Sequence, residues 1–389
     1  MGAAIIGWSH TPFGKRAEDT LESLIVRAAR EALDHAGVEA AQVDEIVLGH
    51  FNAGFSRQDF TASLVLQADP DFRFKPATRL ENACASGSAA VFQSFRAVEA
   101  GTARIVLCVG AEKMTDTRGP DVGNNLLRAA YLAEEGDIQA GFAGMFGGVA
   151  ERYFQTYGDQ SDALAMIAAK SHRNAVGNPL AQMRVDLGYD FCRAEGERNP
   201  RVAGPLKRTD CSLVSDGAAA LVIANLDQVP GARRAVAFRG RAHVQDFFPM
   251  SRRDVLALEG CATAWGRTLD AAGLKLADLS FVETHDCFTI AELLEYEAMG
   301  LTAPGQGARA IKEGWVEMGG RLPINPSGGL KAKGHPIGAT GVSMHALSAM
   351  QLCGDAPEGI QLAGPTLAGV FNMGGMGVAN YAGVLERVR

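Results

Sequence analysis

The stretch Ala32-Leu33-Asp34-His35-Ala36-Gly37-Val38 returns as Thr268-Leu269-Asp270-Ala271-Ala272-Gly273-Leu274, and this repeat decides the fold. Each copy reads as an amphipathic helix ended by glycine at the C′ position. A short connection follows, then a β-branched strand, Val43 to Leu48 in the first copy and Leu279 to Val282 in the second. Gly37 and Gly273 stand at the same offset as Ile46 and Val282, so the alignment needs no gap. The repeat spans residues 22–49 and 258–285 and predicts two similar α/β domains, each a sheet covered by helices.

Each half continues alike. After the strand come a loop of small residues, a helix and another strand. In the first half these are Asn82 to Gly87, a helix from about Ser88 to Glu99, and a strand Arg104 to Gly110. In the second they are Gly334 to Gly341, a helix from about Val342 to Leu352, and an apolar segment Leu367 to Phe371. Residues 119–214 break the symmetry. They hold Met145-Phe146-Gly147-Gly148 and a helical stretch from Asp162 to Asn174, and return through Ser215-Asp216-Gly217-Ala218 to a strand Ala219 to Ala224. The expected domains are 1–118 with 215–226, an inserted 119–214, and 227–389. Long insertions on α/β domains commonly cover a ligand site.

Composition sets the class. At 389 residues, 47% hydrophobic and 21% charged, the chain is a globular protein of two or three domains. No run approaches the ~18 apolar residues of a membrane span. The start at Met1-Gly2-Ala3-Ala4-Ile5-Ile6 reads as neither a signal peptide nor a myristoylation signal, and the end is no peroxisomal address. Seven scattered cysteines with no Cys-x-x-Cys point to a reducing cytoplasm and to no structural zinc site. A net charge of −7 argues against nucleic acid as main partner.

Three segments carry candidate chemistry. Cys84, in Asn82-Ala83-Cys84-Ala85-Ser86-Gly87, precedes a helix start. The helix dipole is expected to lower its pKa and favour a nucleophile over a core thiol. His335, in Gly334-His335-Pro336-Ile337-Gly338, is held among glycines, suiting a general base, an oxyanion donor or a turn histidine bonded to backbone. His285-Asp286-Cys287-Phe288 ends a core strand. If strand geometry persists, His285 and Cys287 face one side and Asp286 faces away as a solvated or capping carboxylate. Singly, each reads as a satisfied imidazole or a core thiol. Asn372-Met373-Gly374-Gly375-Met376-Gly377 gives a turn whose amides can approach a ligand. Cys108, Cys192, Cys211, Cys261, Cys353 and His345 read as packing residues.

These motifs resemble the thiolase superfamily over essentially the whole chain. The resemblance rests on Cys84-Ala85-Ser86, on Gly334-His335-Pro336 within a stretch from Asn325, and on Ser215-Asp216-Gly217-Ala218-Ala219-Ala220. His285-Asp286-Cys287-Phe288 and Asn325-Pro326-Ser327-Gly328-Gly329 look like the sterol-carrier-protein type. Commoner thiolases carry a second cysteine in a C-terminal Cys-x-Gly turn, which here reads Asn372-Met373-Gly374; the resemblance moves that thiol to Cys287.

The resemblance implies a five-layer αβαβα architecture, a loop domain over the coenzyme A site, a homodimer or homotetramer, and no lipid-carrier domain after Arg389. It implies an acyltransferase that cleaves 3-ketoacyl-CoA or runs the reverse Claisen condensation. Coenzyme A is then a substrate, and no cofactor, metal, nucleic acid or membrane is involved. Cys84 becomes the nucleophile, His335 its base and Cys287 the second acid–base group. His285 and His335 face the enolate oxygen, and the N–H groups of Cys84 and Gly374 face the tetrahedral oxyanion. Ser212 and Asn372 become substrate contacts. Lys207-Arg208 and the Lys170, His172, Arg173 group are candidates for the phosphates of coenzyme A. Three rivals remain: a thiolase-like aldolase without the cysteine nucleophile, a ketoacyl synthase, and a non-catalytic acyl-CoA-binding subunit.

Overall fold

A computed structural model describes residues 2–229 and 231–389. Met1, the first residue of the stretch examined for a signal peptide, and Pro230 lie outside the described residues. The strands are β1 (Ala3–His10), β2 (Glu45–Gly49), β3 (Ala77–Leu80), β4 (Ile105–Glu112), β5 (Arg201–Ala203), β6 (Leu206–Lys207), β7 (Gly217–Asn225), β8 (Val236–Gln245), β9 (Phe281–Glu283), β10 (Leu367–Gly374) and β11 (Ala379–Arg387). The helices are α1 (Leu21–Ala36), α2 (Ser86–Glu99), α3 (Gly119–Leu127), α4 (Leu132–Glu135), α5 (Gly141–Tyr157), α6 (Ser161–Val176), α7 (Gly188–Arg193), α8 (Glu259–Ala272), α9 (Thr289–Ala298), α10 (Gly307–Lys312) and α11 (Ile337–Cys353).

The repeat is physical. Helix α1 ends at Gly37 (φ 66°) and α8 at Gly273 (φ 67°), both left-handed. Each cap N–H returns to the helix, and the next residue closes the same wide loop, Val38 to Leu33 and Leu274 to Leu269. Only glycine adopts that backbone without steric cost. Both copies then make a short 3₁₀ turn, Ala40–Gln42 and Leu276–Asp278, before β2 and β9.

Nine strands lie in the order β3-β2-β4-β7-β1-β8-β11-β10-β9. The two halves mirror each other outward from β1 and β8. β2 runs parallel to β4 as β9 does to β10, and β4–β7 and β10–β11 are antiparallel. The partner of β3 in the second half is a parallel bridge from Val282 to Ile324. Among the described residues, Ile5 opposite Val236 is the one strand pairing between the two half-sheets.

Helix α1 covers the outer face of the first half-sheet and α8 that of the second, while α11 packs on β4 and β7 and on β10 and β11. With α2 beside it, α11 forms the middle of five layers. Every residue from Ile337 to Leu352 is buried, as a helix apolar on all sides requires. The segment between β4 and β7 carries α3 to α7 and the β5–β6 hairpin. Among the described residues, no helix is long and apolar enough to cross a membrane.

Candidate active site

The site is built where the two halves touch. A Cβ on Gly87 would lie 2.8 Å from Gly338 O and from Gly341 N, and one on Gly341 would lie 2.1 Å from Ser88 N. Glycine therefore lets the first turns of α2 and α11 meet backbone to backbone. Cys84 stands two residues before α2 and His335 two residues before α11, so the repeat brings thiol and imidazole together. The Cys84 sulfur and one ring nitrogen each of His285 and His335 lie within 4.8 Å of one another. The histidine rings are 5.2 Å apart at 84°.

Cys84, His335 and Cys287 line a cavity of about 60 Å³, walled also by Phe51, Leu126, Phe142, Phe146, Phe288 and Ile337. Ser212 lines the same cavity, and its N–H donates to Cys287 O at 2.9 Å. The tetrapeptide has left the strand by then: β9 ends at Glu283, and Cys287 N–H donates to His285 O in a tight turn.

Several expectations are corrected by burial. The Cys84 thiol is not lowered. Burial pushes it up to about 12, outweighing the pull of the Gly375 N–H and its own N–H. Desolvation disfavours the thiolate more than two amides favour it. Cys287 is raised well above its ordinary value, first by burial and then by Cys84. His335 is lowered to about 3, mainly by burial and then by Lys333. His285 falls well below its ordinary value by burial and then by His335. The resting site is therefore two thiols and two neutral imidazoles. Three convergent donors could ligate a soft cation, but the raised thiol resists the thiolate form such an ion needs.

Asp286 is the capping carboxylate of the two alternatives, not the solvated one. It is fully buried and accepts from Leu330 N (2.6 Å) and Lys331 N (3.3 Å), capping the π-helical turn Gly329–Lys333. The amide facing the resting Cys84 sulfur belongs to Gly375; Gly374 pairs with Ala379 in β10, and the chain turns at Gly375 with φ 62°. Asn372 is fully buried; its amide nitrogen lies 3.2 Å from Cys84 O and 2.8 Å from His285 Nδ1.

Three of the cationic candidates are occupied. Lys170 is fully buried against Glu292 and Ile324 O, His172 is buried beside Lys331, and Lys207 is buried on Asp210. A buried ammonium needs such a partner. Arg173 is half exposed and pairs with Glu317, while Arg208 stays exposed.

Other residues brace the site, among them Ser215 and Asn325 from the quoted motifs and Glu112, which no motif marks. Glu112 is fully buried and accepts from Phe51 N, Asn52 N and Gly338 N, tying the end of β2 to the start of α11. Ser215 Oγ accepts from His335 N at 3.0 Å. Asn325 Oδ1 accepts from Thr284 N and Glu283 accepts twice from Ser327, which explains the stretch from Asn325 as a clasp on β9. Thr340 Oγ1 lies 2.7 Å from His335 Nδ1. A buried carboxylate such as Glu112 leaves no local sequence mark; Thr340, five residues after the histidine on a helix start, was findable by spacing.

Comparison with known proteins agrees with this architecture. The thiolase N-terminal domain matches residues 3–227 and the thiolase C-terminal domain-like family matches 242–387. The chain belongs to the thiolase family, and it is an acyltransferase of that class carrying a Cys-His-His cluster. An acetyl-CoA acetyltransferase of Methanothermobacter thermautotrophicus is 34% identical over 379 residues, 96% of each chain. Sterol carrier protein 2 of Rattus norvegicus is 33% identical over 318 residues, 78% of this chain and 57% of that one. Among solved structures, an Ltp2-ChsH2(DUF35) aldolase superposes with a TM-score of 0.84 at 23% identity, covering 100% of this chain and 98% of the other. Human mitochondrial 3-ketoacyl-CoA thiolase with CoA superposes with 0.74 at 19% identity, covering 99% and 98%. Those two likenesses speak to the fold.

Proposed function

We propose that this chain cleaves 3-ketoacyl-CoA with coenzyme A, or runs the reverse condensation, through an acyl-Cys84 intermediate. The observation that carries it is the convergence of the Cys84 sulfur with His285 and His335 nitrogens within 4.8 Å, beside a cavity that Cys84, His335 and Cys287 line.

Cys84 attacks the 3-keto carbon as His335 Nε2 takes its proton, because burial denies it a standing thiolate. The carbon–carbon bond breaks, the acetyl-CoA enolate leaves, and Cys287 protonates it. Coenzyme A then attacks the acyl-Cys84 thioester while Cys287 takes the thiol proton, and Cys84 regains its own from His335. The N–H groups of Cys84 and Gly375 suit the tetrahedral oxyanion, and His285 and His335 suit the enolate oxygen. The apolar walls of the cavity at Phe51, Phe142, Phe146 and Phe288 suit an acyl group, with the rest of coenzyme A outside under residues 119–214. Ser212 would meet the pantetheine and Arg208 a phosphate.

Retention of thiols at both 84 and 287 supports this reading over an aldolase. We read the working form as a cytoplasmic homodimer. The edge strand β3, with Phe60 and Phe74 exposed on the segments leading to it, supports pairing with a second copy. The test is mass spectrometry after mixing with acetoacetyl-CoA, then a panel of longer 3-ketoacyl-CoAs. An acetyl adduct on Cys84 that coenzyme A discharges is expected; no adduct with any member would leave a binding subunit.

A further inference from the structure

We propose that Asn372 is a positioning residue that locks the proton of His285 on Nε2, making this histidine a permanent hydrogen-bond donor while His335 alone cycles as base. The proposal rests on the acyl-transfer reading above.

The Asn372 amide nitrogen faces two atoms, Cys84 O at 3.2 Å and His285 Nδ1 at 2.8 Å. A carbonyl only accepts, so the group turned toward Cys84 O must be the NH₂. Its second hydrogen then points at His285 Nδ1, which must accept and so carries no proton. The proton sits on Nε2, a fully buried atom without a hydrogen-bond partner among the described residues, on a ring that belongs to the cluster with Cys84 and His335. An imidazolium at 285 would press Nδ1–H against an N–H, so this ring can neither charge nor act as base.

His335 is built differently. Its Nδ1 lies 2.7 Å from the Thr340 hydroxyl, which also reaches Pro336 O at 3.0 Å. A hydroxyl donates or accepts by turning. With its hydrogen on Pro336 O, it accepts from Nδ1–H and leaves the buried, unpartnered Nε2 lone pair open to the thiol proton. The same arrangement supports the imidazolium that results. One amide and one hydroxyl thus divide two similar rings, 5.2 Å apart, into donor and base. Burial, which keeps both rings neutral at rest, agrees with this division.

The experiment is nitrogen-15 NMR of the whole enzyme with ring-labelled histidine, the His285 signals identified by their loss in His285→Asn. We expect a neutral Nε2–H ring that stays so from about pH 8 to about pH 5. An Nδ1–H ring, or titration in that range, overturns the proposal. Asn372→Asp supplies a carboxylate that pulls the proton to Nδ1. Its kcat should fall about 10²-fold near pH 8 with KM within about 2-fold. Activity should partly recover on acidification as the ring gains a second proton, a rise the parent enzyme lacks. Unchanged kcat overturns the proposal, and if the variant does not fold, the NMR result decides. If the tautomer is as expected but no 3-ketoacyl-CoA is turned over, the acyl-transfer reading fails instead.

Discussion

The same architectural corner appears twice in this molecule with opposite outcomes. After β2, His50 is fully buried, 3.1 Å from Glu112 and 3.0 Å from the Thr61 hydroxyl. After β9, His285 is equally buried, but its one partner is the neutral amide of Asn372. Both rings end a short parallel strand of a duplicated unit. The first has a hydroxyl on Nδ1 and a carboxylate 3.1 Å from an Nε2 that makes no well-aligned hydrogen bond, and those two neighbours hold it as structure. An amide engages one nitrogen of the second and leaves the other aimed at a thiol, so it becomes available for chemistry. Location supplies the rigid corner; the second partner decides what the corner does.

That contrast can be broken most severely at the nucleophile. Cys84→Ala should abolish the acyl adduct seen by mass spectrometry and lower turnover by about 10⁴-fold or more. Cys287→Ala should still acylate slowly but lower steady-state turnover by about 10²–10⁴-fold. Near-normal turnover would remove Cys287 from proton transfer. His285→Ala should cost about 10²–10³ in kcat, whereas His50→Ala should appear in urea unfolding as a loss of about 3 kcal/mol, because buried Glu112 loses its ring neighbour and keeps only backbone amides. If the two variants exchanged effects, the contrast between the corners would collapse.

Acid should act on the shared burial rather than on either corner. His10 and His335 are lowered to about 3 and His345 to about 4, burial being the largest cause in each. The unfolded chain therefore takes these protons first. Stability is full above about pH 6.5 and falls as pH drops toward those values, by up to about 1.4 kcal/mol per pH unit for each histidine. Thermal melts against pH should show this limb, and His345→Asn should flatten it. The smallest effect belongs to the surface: Arg208→Ala should raise KM for coenzyme A about 2- to 5-fold, and less in high salt.

Much of this was legible in the sequence because it is local. Gly37 and Gly273 mark helix ends by a backbone only glycine tolerates, and one constant offset carries the duplication and with it the layers. Cys84 and His335 stand out because each precedes a helix start crowded with small residues, and His285 and Cys287 because they end an apolar strand. What the sequence hid depends on what lies on top. A helix start was visible beside Cys84, but not the burial that raises its thiol. Lys170, His172 and Lys207 read as surface cations until the second half closed over them or a carboxylate met them. Asn372 reads as part of a glycine turn, and only the fold shows it between Cys84 O and His285.

The glycine contact between α2 and α11 has a mechanical consequence. With no side-chain thickness at Gly87 and Gly341, Cys84 and His335 are mounted on opposite halves of one hinge pin. Any rotation of one half against the other would part sulfur from imidazole before it opened a path for substrate. A path to the cavity that leaves this pin shut must therefore run past the inserted segment, whose Leu126, Ala129, Phe142 and Phe146 line the cavity. Inactivation by heat should likewise track slippage at this pin, ahead of the melting of either sheet.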